Sequence, residues 1–317
     1  MSWKVRSLVV AGLVAGMGVS VIHGEDAAGG GAAAPSPVLP VMVKAREAMV
    51  IDGKLDEPDW KRATEIPVNG IWGKKGKRTE SPRMTAKYLW DDFYLYIGYE
   101  VFDTNLVVKS SGASQGPADN RREGMEIWVK PPAPQVDLAE FFIVFDDPNC
   151  FWETHHNAAN QFNDVLCIVD LPAWKKTKSA MAQWNIYFGK EEYIQDHEGS
   201  TLAKAVALKP RADGSLSTVN DGSDQDTGYT GEIRIPWFGI GAPAAAMTWV
   251  PVPAKPDGTP AGRKAGPWKM AGRELSILAV SQDGDPADRY CSSAPDMYAP
   301  FFHLGSAGYP RYRLVEE

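Results

Sequence analysis

The chain has 317 residues, 44% of them hydrophobic and 23% charged, which is enough apolar surface for a sizeable core and too little charge for a disordered chain. Its 33 basic and 40 acidic residues leave a net charge of −7, a balance that repels phosphate backbones and argues against nucleic acid as the partner. Eleven Trp, 11 Tyr and 11 Phe are more rings than packing alone requires, and they direct attention to ligands that stack on aromatic faces.

The first residues read as an export signal. Lys4 and Arg6 precede an uncharged apolar run from Leu8 to Val21, too short for a membrane span, and small residues up to Gly24 offer cleavage points. The expectation is a signal peptide over 1–24, a secreted or periplasmic protein, and no membrane span in the mature form. Residues 25–40 are Gly, Ala and Pro with almost no large apolar residue, the composition of a flexible linker. The folded domain is therefore expected over 41–317. Three cysteines, Cys150, Cys167 and Cys291, are too few for a disulfide scaffold. Either Cys150 and Cys167 pair across adjacent strands or all three are buried thiols.

From Val41 onward short apolar runs alternate with turn residues, and no helical periodicity or fixed repeat intervenes, so the pattern is all-β. Leu95, Ile97, Tyr99 and Val101 alternate with Tyr94, Tyr96, Gly98 and Glu100, as a sandwich strand requires. Met125, Ile127 and Val129 do the same against Glu126, Trp128 and Lys130. Phe141, Ile143 and Phe145 have apolar neighbours on both sides, which predicts a central strand. Tyr229, Gly231, Ile233 and Ile235 predict a strand that Pro236 ends, because proline has no N–H to donate. LSILAVSQD adds a late strand. Residues 157–197 are irregular and aromatic, an expected decoration of the sandwich edge, and the Pro- and Gly-rich stretch 241–266 reads as a surface insertion.

Four strings occur in order: Ile51 to Trp60 (IDGKLDEPDW), Trp90 to Val101 (WDDFYLYIGYEV), Glu123 to Val129 (EGMEIWV) and Tyr229 to Trp237 (YTGEIRIPW). Together they resemble the family 9 carbohydrate-binding modules and their relatives. The resemblance implies an immunoglobulin-like antiparallel β-sandwich with loop insertions, and a slot on one face that clamps a terminal sugar between two aromatic rings. Carried over by position, Glu126 is the acid that reaches the sugar, and Tyr298 matches the second clamp ring. The first clamp ring falls where this chain has Asn120, Arg121 and Arg122, and Phe142 and Val144 stand where cellulose-binding members carry a basic and an amide side chain.

The residues themselves add candidates. Trp128 shares a strand face with Glu126, two residues and so about 7 Å away, a spacing that lets an indole stack on a ring while the carboxylate holds a hydroxyl. Trp72 and Trp152 are read as loop tryptophans on a rim, whereas Trp60, Trp90 and Trp237 are read as core. In NDGSDQDTG, Asp221, Asp224 and Asp226 offer the close oxygen spacing of a structural calcium site, although the same string is an ordinary turn. His155 and His156, adjacent on a strand, point to opposite faces and do not share one metal ion. No nucleophile elbow, P-loop or zinc-hydrolase motif is present. What the resemblance implies, together with the Trp surplus, is a non-catalytic protein that binds a carbohydrate ligand, associated with carbohydrate catabolism. The alternatives are an interaction module of a surface assembly with a vestigial slot, a glycoside-acting enzyme, and a haem-binding electron-transfer domain like some relatives of this fold.

Overall fold

The computed structural model describes residues 39–71, 74–108, 137–147, 150–169, 181–185, 202–251, 254, 256, 258, 263–283, 290–294 and 308–317. The strands, in chain order, begin with β1 (Val41–Val43), β2 (Ile66–Val68), β3 (Gly70–Ile71), β4 (Met84–Trp90) and β5 (Tyr94–Val101). Then come β6 (Leu138–Val144), β7 (Cys150–His156), β8 (Phe162–Val169), β9 (Met181–Asn185), β10 (Ala203–Leu208) and β11 (Tyr229–Pro236). The last are β12 (Trp249–Pro251), β13 (Arg263–Ala265), β14 (Glu274–Gln282), β15 (Tyr290–Ser292) and β16 (Arg311–Val315). Helical structure among the described residues is limited to short 3₁₀ turns.

Two sheets form the sandwich. One is five-stranded in the order β10-β11-β5-β4-β2, and the other is nine-stranded along β1-β16-β14-β6-β7-β8-β9, with β15 and β3 attached beside β14. Pairing is antiparallel except between β1 and β16. Alternation fixes which face is which. In the five-stranded sheet Met84, Ala86 and Tyr88 stand opposite Val101, Tyr99 and Ile97, and across the next ladder Ile233 and Ile235 face Ile97 and Leu95. All belong to the core shared with Phe141, Ile143, Ile277 and Ala279 of the other sheet. Rings cross the gap between the sheets, Tyr99 to Phe141 at 5.4 Å and Tyr88 to Tyr312 at 5.3 Å. Gly231 is required here, because a Cβ at that position would lie 2.3 Å from the Tyr99 ring.

The β6 strand is buried at every position, as apolar residues on both of its faces predict. Pro236 is the last residue of β11, and β14 is the late strand. Within 157–197 the structure goes beyond a decoration, since β8 and β9 extend the nine-stranded sheet from β7. The 241–266 stretch carries the separate β12–β13 hairpin. Cys150 and Cys291 are free thiols, and the β7–β8 register puts Ile168 opposite Cys150 while Cys167 stands opposite Phe151, so of the two alternatives the cross-strand cysteine pair does not form. No helix among the described residues is long and apolar enough to cross a membrane.

Candidate functional site

Three of the four strings meet on the outer face of the five-stranded sheet, where they form a clamp. Glu232 of β11 is fully buried and takes three hydrogen bonds: the backbone N–H groups of Asp52 and Gly53 donate to Oε2, each at 2.9 Å, and the Trp60 indole donates to Oε1 at 2.8 Å. Burial pushes its carboxyl up to about 7, and the nearby Glu57 adds to the rise, while the three donors pull the other way. Trp60 lies over Gly98, where a Cβ would sit 2.9 Å from the ring, and joins Met49, Leu89 and Tyr96 in a small second core. Asp59 ties the same segment down by accepting from the N–H groups of Arg46 and Glu47 and from Arg62. The hairpin string is equally local: Asp91 accepts from the N–H groups of Phe93 and Tyr94 and from the Tyr96 hydroxyl. Trp60, Trp90 and Trp237 are all buried, as expected of core residues.

The outer face of the nine-stranded sheet carries Phe142 and Val144, which the sequence resemblance aligns with the slot. Both are buried, Phe142 against Phe151 and Tyr309. Glu140, Glu153 and His155 share that face, since Phe142 pairs with Glu153 and Glu140 with His155. All three are buried, and His155 Nε2 lies 2.9 Å from Glu153 Oε1. His156 turns to the opposite face, as strand alternation requires. There it lies 2.7 Å from the Tyr99 hydroxyl at Nδ1 and 2.8 Å from Asn160 Oδ1 at Nε2. An amide oxygen only accepts, so Nε2 carries the proton and Nδ1 accepts from Tyr99. Burial drives the imidazole down to about 3, and it is neutral.

Of the sequence-predicted sugar residues, Glu126, Trp128, Tyr298 and Trp72 lie outside the described residues. Trp152 is a correction. It sits within β7 opposite Ile143 and Leu166, is 8% exposed, and belongs to the core between the sheets, so its ring offers no face to a ligand. The polar cluster before it reads as a loop, but the β6–β7 hairpin continues through it. Trp268 also belongs to this core.

The calcium expectation for Asp221, Asp224 and Asp226 is corrected in the same way. Asp221 accepts from the backbone N–H and hydroxyl of Ser223, and Asp224 pairs with Arg211 and accepts from Thr218. Asp226 is buried and accepts from the N–H groups of Leu106 and Thr218. The three carboxylates therefore close turns in different directions and do not converge. Among the described residues, carboxylate oxygens converge to within 4.8 Å at Asp103, Asp137 and Asp283. The acid-rich chemistry there suits a hard cation, yet each acid already accepts a donor: Asn105 N–H on Asp103, Val107 N–H on Asp137, and Arg83 on Asp283. No spacing rule links three acids so far apart in sequence.

Sequence reasoning also passed over Trp249. It opens the β12–β13 hairpin and is 55% exposed, an indole with a face available to a ligand. Its place inside a stretch read as an insertion was the available signal.

Residues 51–135 match the family described as carbohydrate family 9 binding domain-like. Among solved structures, two similar ones are a family 9 carbohydrate-binding module from Caldicellulosiruptor kristjanssonii. Its cellotriose complex is 14% identical with a TM-score of 0.40, covering 88% of this chain and 94% of that one. Its glucose complex is 13% identical with a TM-score of 0.42, covering 88% and 96%. A third, described as a carbohydrate-binding protein from Bacteroides uniformis, is 10% identical with a TM-score of 0.48, covering 87% and 98%. A comparison with curated proteins returned no match.

Proposed function

We propose that this protein is an exported, non-catalytic carbohydrate-binding protein. The observation that carries the reading is the match of residues 51–135 to the family 9 binding domain, in the stretch where the strings that carry the sequence resemblance begin. Export rests on the charged start and apolar run of residues 1–24, and a non-catalytic role rests on the lack of any recognised catalytic string. Glu126 and Tyr298 are the residues carried over to the family slot, with Trp128 beside Glu126 by strand alternation and Trp72 as a rim candidate. Trp249 is a further stacking candidate because its indole is exposed.

A second reading, an interaction module whose slot is vestigial, is favoured by one observation: Phe142 and Val144 fill the slot face with buried apolar side chains. Affinity electrophoresis of the mature protein through gels holding soluble β-glucan, xylan or mannan separates the two. Retention is expected in at least one gel, and Trp128→Ala and Tyr298→Ala, each first checked for unchanged thermal unfolding, are expected to weaken it about tenfold. Trp152→Ala, corrected for its loss of stability, is expected to bind normally. No retention in any gel removes the carbohydrate reading, and release of reducing sugar by the pure protein removes the non-catalytic one.

A further inference from the structure

An open cavity of about 270 Å³ lies where the end of β6, the start of β14 and the start of β16 come together. None of the residues assigned above to sugar binding lines it. Its walls are mostly polar. Phe145 supplies one ring, braced edge-on against buried Trp237 at 6.2 Å, and Asp146, Arg273, Glu274, Ser276 and Arg311 supply the polar groups. The space is held open by the turn between Met270 and Arg273. Gly272 sits there at φ 78° with nothing within 4 Å of where a Cβ would be, and its N–H donates to the Leu314 carbonyl.

The charges sort into two pairs. Glu274 and Arg311 satisfy each other across the β14–β16 ladder, with Arg313 also 3.8 Å from Glu274. Arg273 and Asp146 are different. Arg273 Nε donates to the Lys269 carbonyl at 2.9 Å, which fixes the guanidinium plane, and its two terminal nitrogens have no protein hydrogen bond among the described residues. Asp146 is exposed and has no hydrogen bond or ion pair among the described residues, and neither has the Ser276 hydroxyl. The cavity thus presents one fixed donor pair, one acceptor-only carboxylate, one hydroxyl and one apolar ring.

That set selects a ligand class. An anion would meet Asp146 and Glu274, and a cation would meet Arg273 and Arg311. A neutral polyol with neighbouring hydroxyls satisfies both kinds of group, since one hydroxyl accepts from Arg273 while another donates to Asp146, and a C–H face can lie on Phe145. The volume falls just below the roughly 300–1,000 Å³ of common small-molecule sites, which fits a single sugar ring rather than a chain. We propose that this cavity is a second carbohydrate subsite, taking one neutral pyranose unit through Arg273, Asp146, Ser276 and Phe145. The inference rests on the carbohydrate-binding reading and adds a place to it.

The test uses the mature protein in the same gel panel, with glucose and cellotriose as free competitors. Asp146→Ala removes an exposed side chain with no partner and leaves the fold intact. It is expected to weaken retention about fivefold, the effect of one lost hydrogen bond. Arg273→Ala is expected to do the same, and a doubly substituted Asp146→Ala, Trp128→Ala protein is expected to lose more than either single variant. If wild type is retained, Trp128→Ala or Tyr298→Ala weakens it, and Asp146→Ala and Arg273→Ala both bind like wild type with unchanged thermal unfolding, the cavity is no subsite and the carbohydrate reading stands alone. Wild type retained in no gel overturns both.

Discussion

The outer faces of the two sheets are both closed to water over much of their length, but by opposite means. On the five-stranded sheet the cover is a chain segment, residues 44–63, held by directional bonds: three N–H donors converge on Glu232 and three more on Asp59. On the nine-stranded sheet Phe142, Phe151, Leu278 and Val280 are buried by bulk, with Glu140, Glu153 and His155 set among them. The bonded cover is framework. Residues 51–60 and the strands β5 and β11 beneath them hold one another, and they are needed whether or not a ligand binds.

The sharpest way to break this comparison is Glu232→Ala. The substitution leaves the Gly53 N–H and the Trp60 indole N–H buried with no acceptor and takes the partner of the half-buried Asp52 N–H, and buried unsatisfied donors cost about 1–3 kcal/mol each. A loss of roughly 3–5 kcal/mol is expected in urea unfolding, comparable to breaking a buried charged contact. Sugar retention of the protein that remains folded should be unchanged. A loss below about 1 kcal/mol would show that the clamp is incidental.

Next in size is the pH dependence, where Glu232 under its cover and His156 between the sheets have opposite signs. His156 stays neutral in the fold down to about pH 3 but takes a proton near 6.5 when unfolded. Its contribution is fully present above pH 6.5 and is lost as pH falls from there toward 3, by about 1.4 kcal/mol per pH unit. Glu232 keeps its proton in the fold up to about pH 7 and loses it near 4.5 when unfolded, so its contribution is present below 4.5 and is lost as pH rises toward 7. Between pH 4.5 and 6.5 the two slopes oppose each other, and below 4.5 only the His156 loss remains. Relative to wild type, Glu232→Gln should steepen the rise in stability with pH across 4.5–6.5, and His156→Gln should turn it downward. Equal urea midpoints for wild type and both variants, in parallel across that window, would remove the argument.

These effects come from the part of the molecule most legible in the sequence. Alternation in Tyr94–Val101 and Tyr229–Pro236 locates β5 and β11, because a half-buried strand must put every second residue into the core. It even places Glu232 and Gly98 on one face. What alternation does not carry is partnership across distance. The Trp60–Glu232 bond depends on how a 3₁₀ turn returns over the sheet, and Trp152 looks like a loop residue until the β6–β7 register is known. Strands β8 and β9 escape because their segment has no clean period. The cavity draws on four separate segments, so no local spacing announces it, and the acids in NDGSDQDTG look alike until their partners are seen.

The smallest expected effect concerns that last loop, which belongs to the framework side. Calcium ligands must converge on one point, and here the carboxylates are drawn to separate partners, Asp221 to Ser223, Asp224 to Arg211 and Thr218, and Asp226 to the N–H groups of Leu106 and Thr218. The Ser223 hydroxyl and N–H bonds, with Arg211 adding to them, hold the Asp221 carboxyl below its usual range. Whatever change in thermal midpoint calcium or a chelator produces in wild type should therefore be the same in Asp221→Asn. The comparison is a differential scan of both proteins with excess calcium and with chelator. A calcium response that is present in wild type and absent from Asp221→Asn would mean that the loop opens its turn bonds to take a cation, and would move it from the framework to the list of ligand sites.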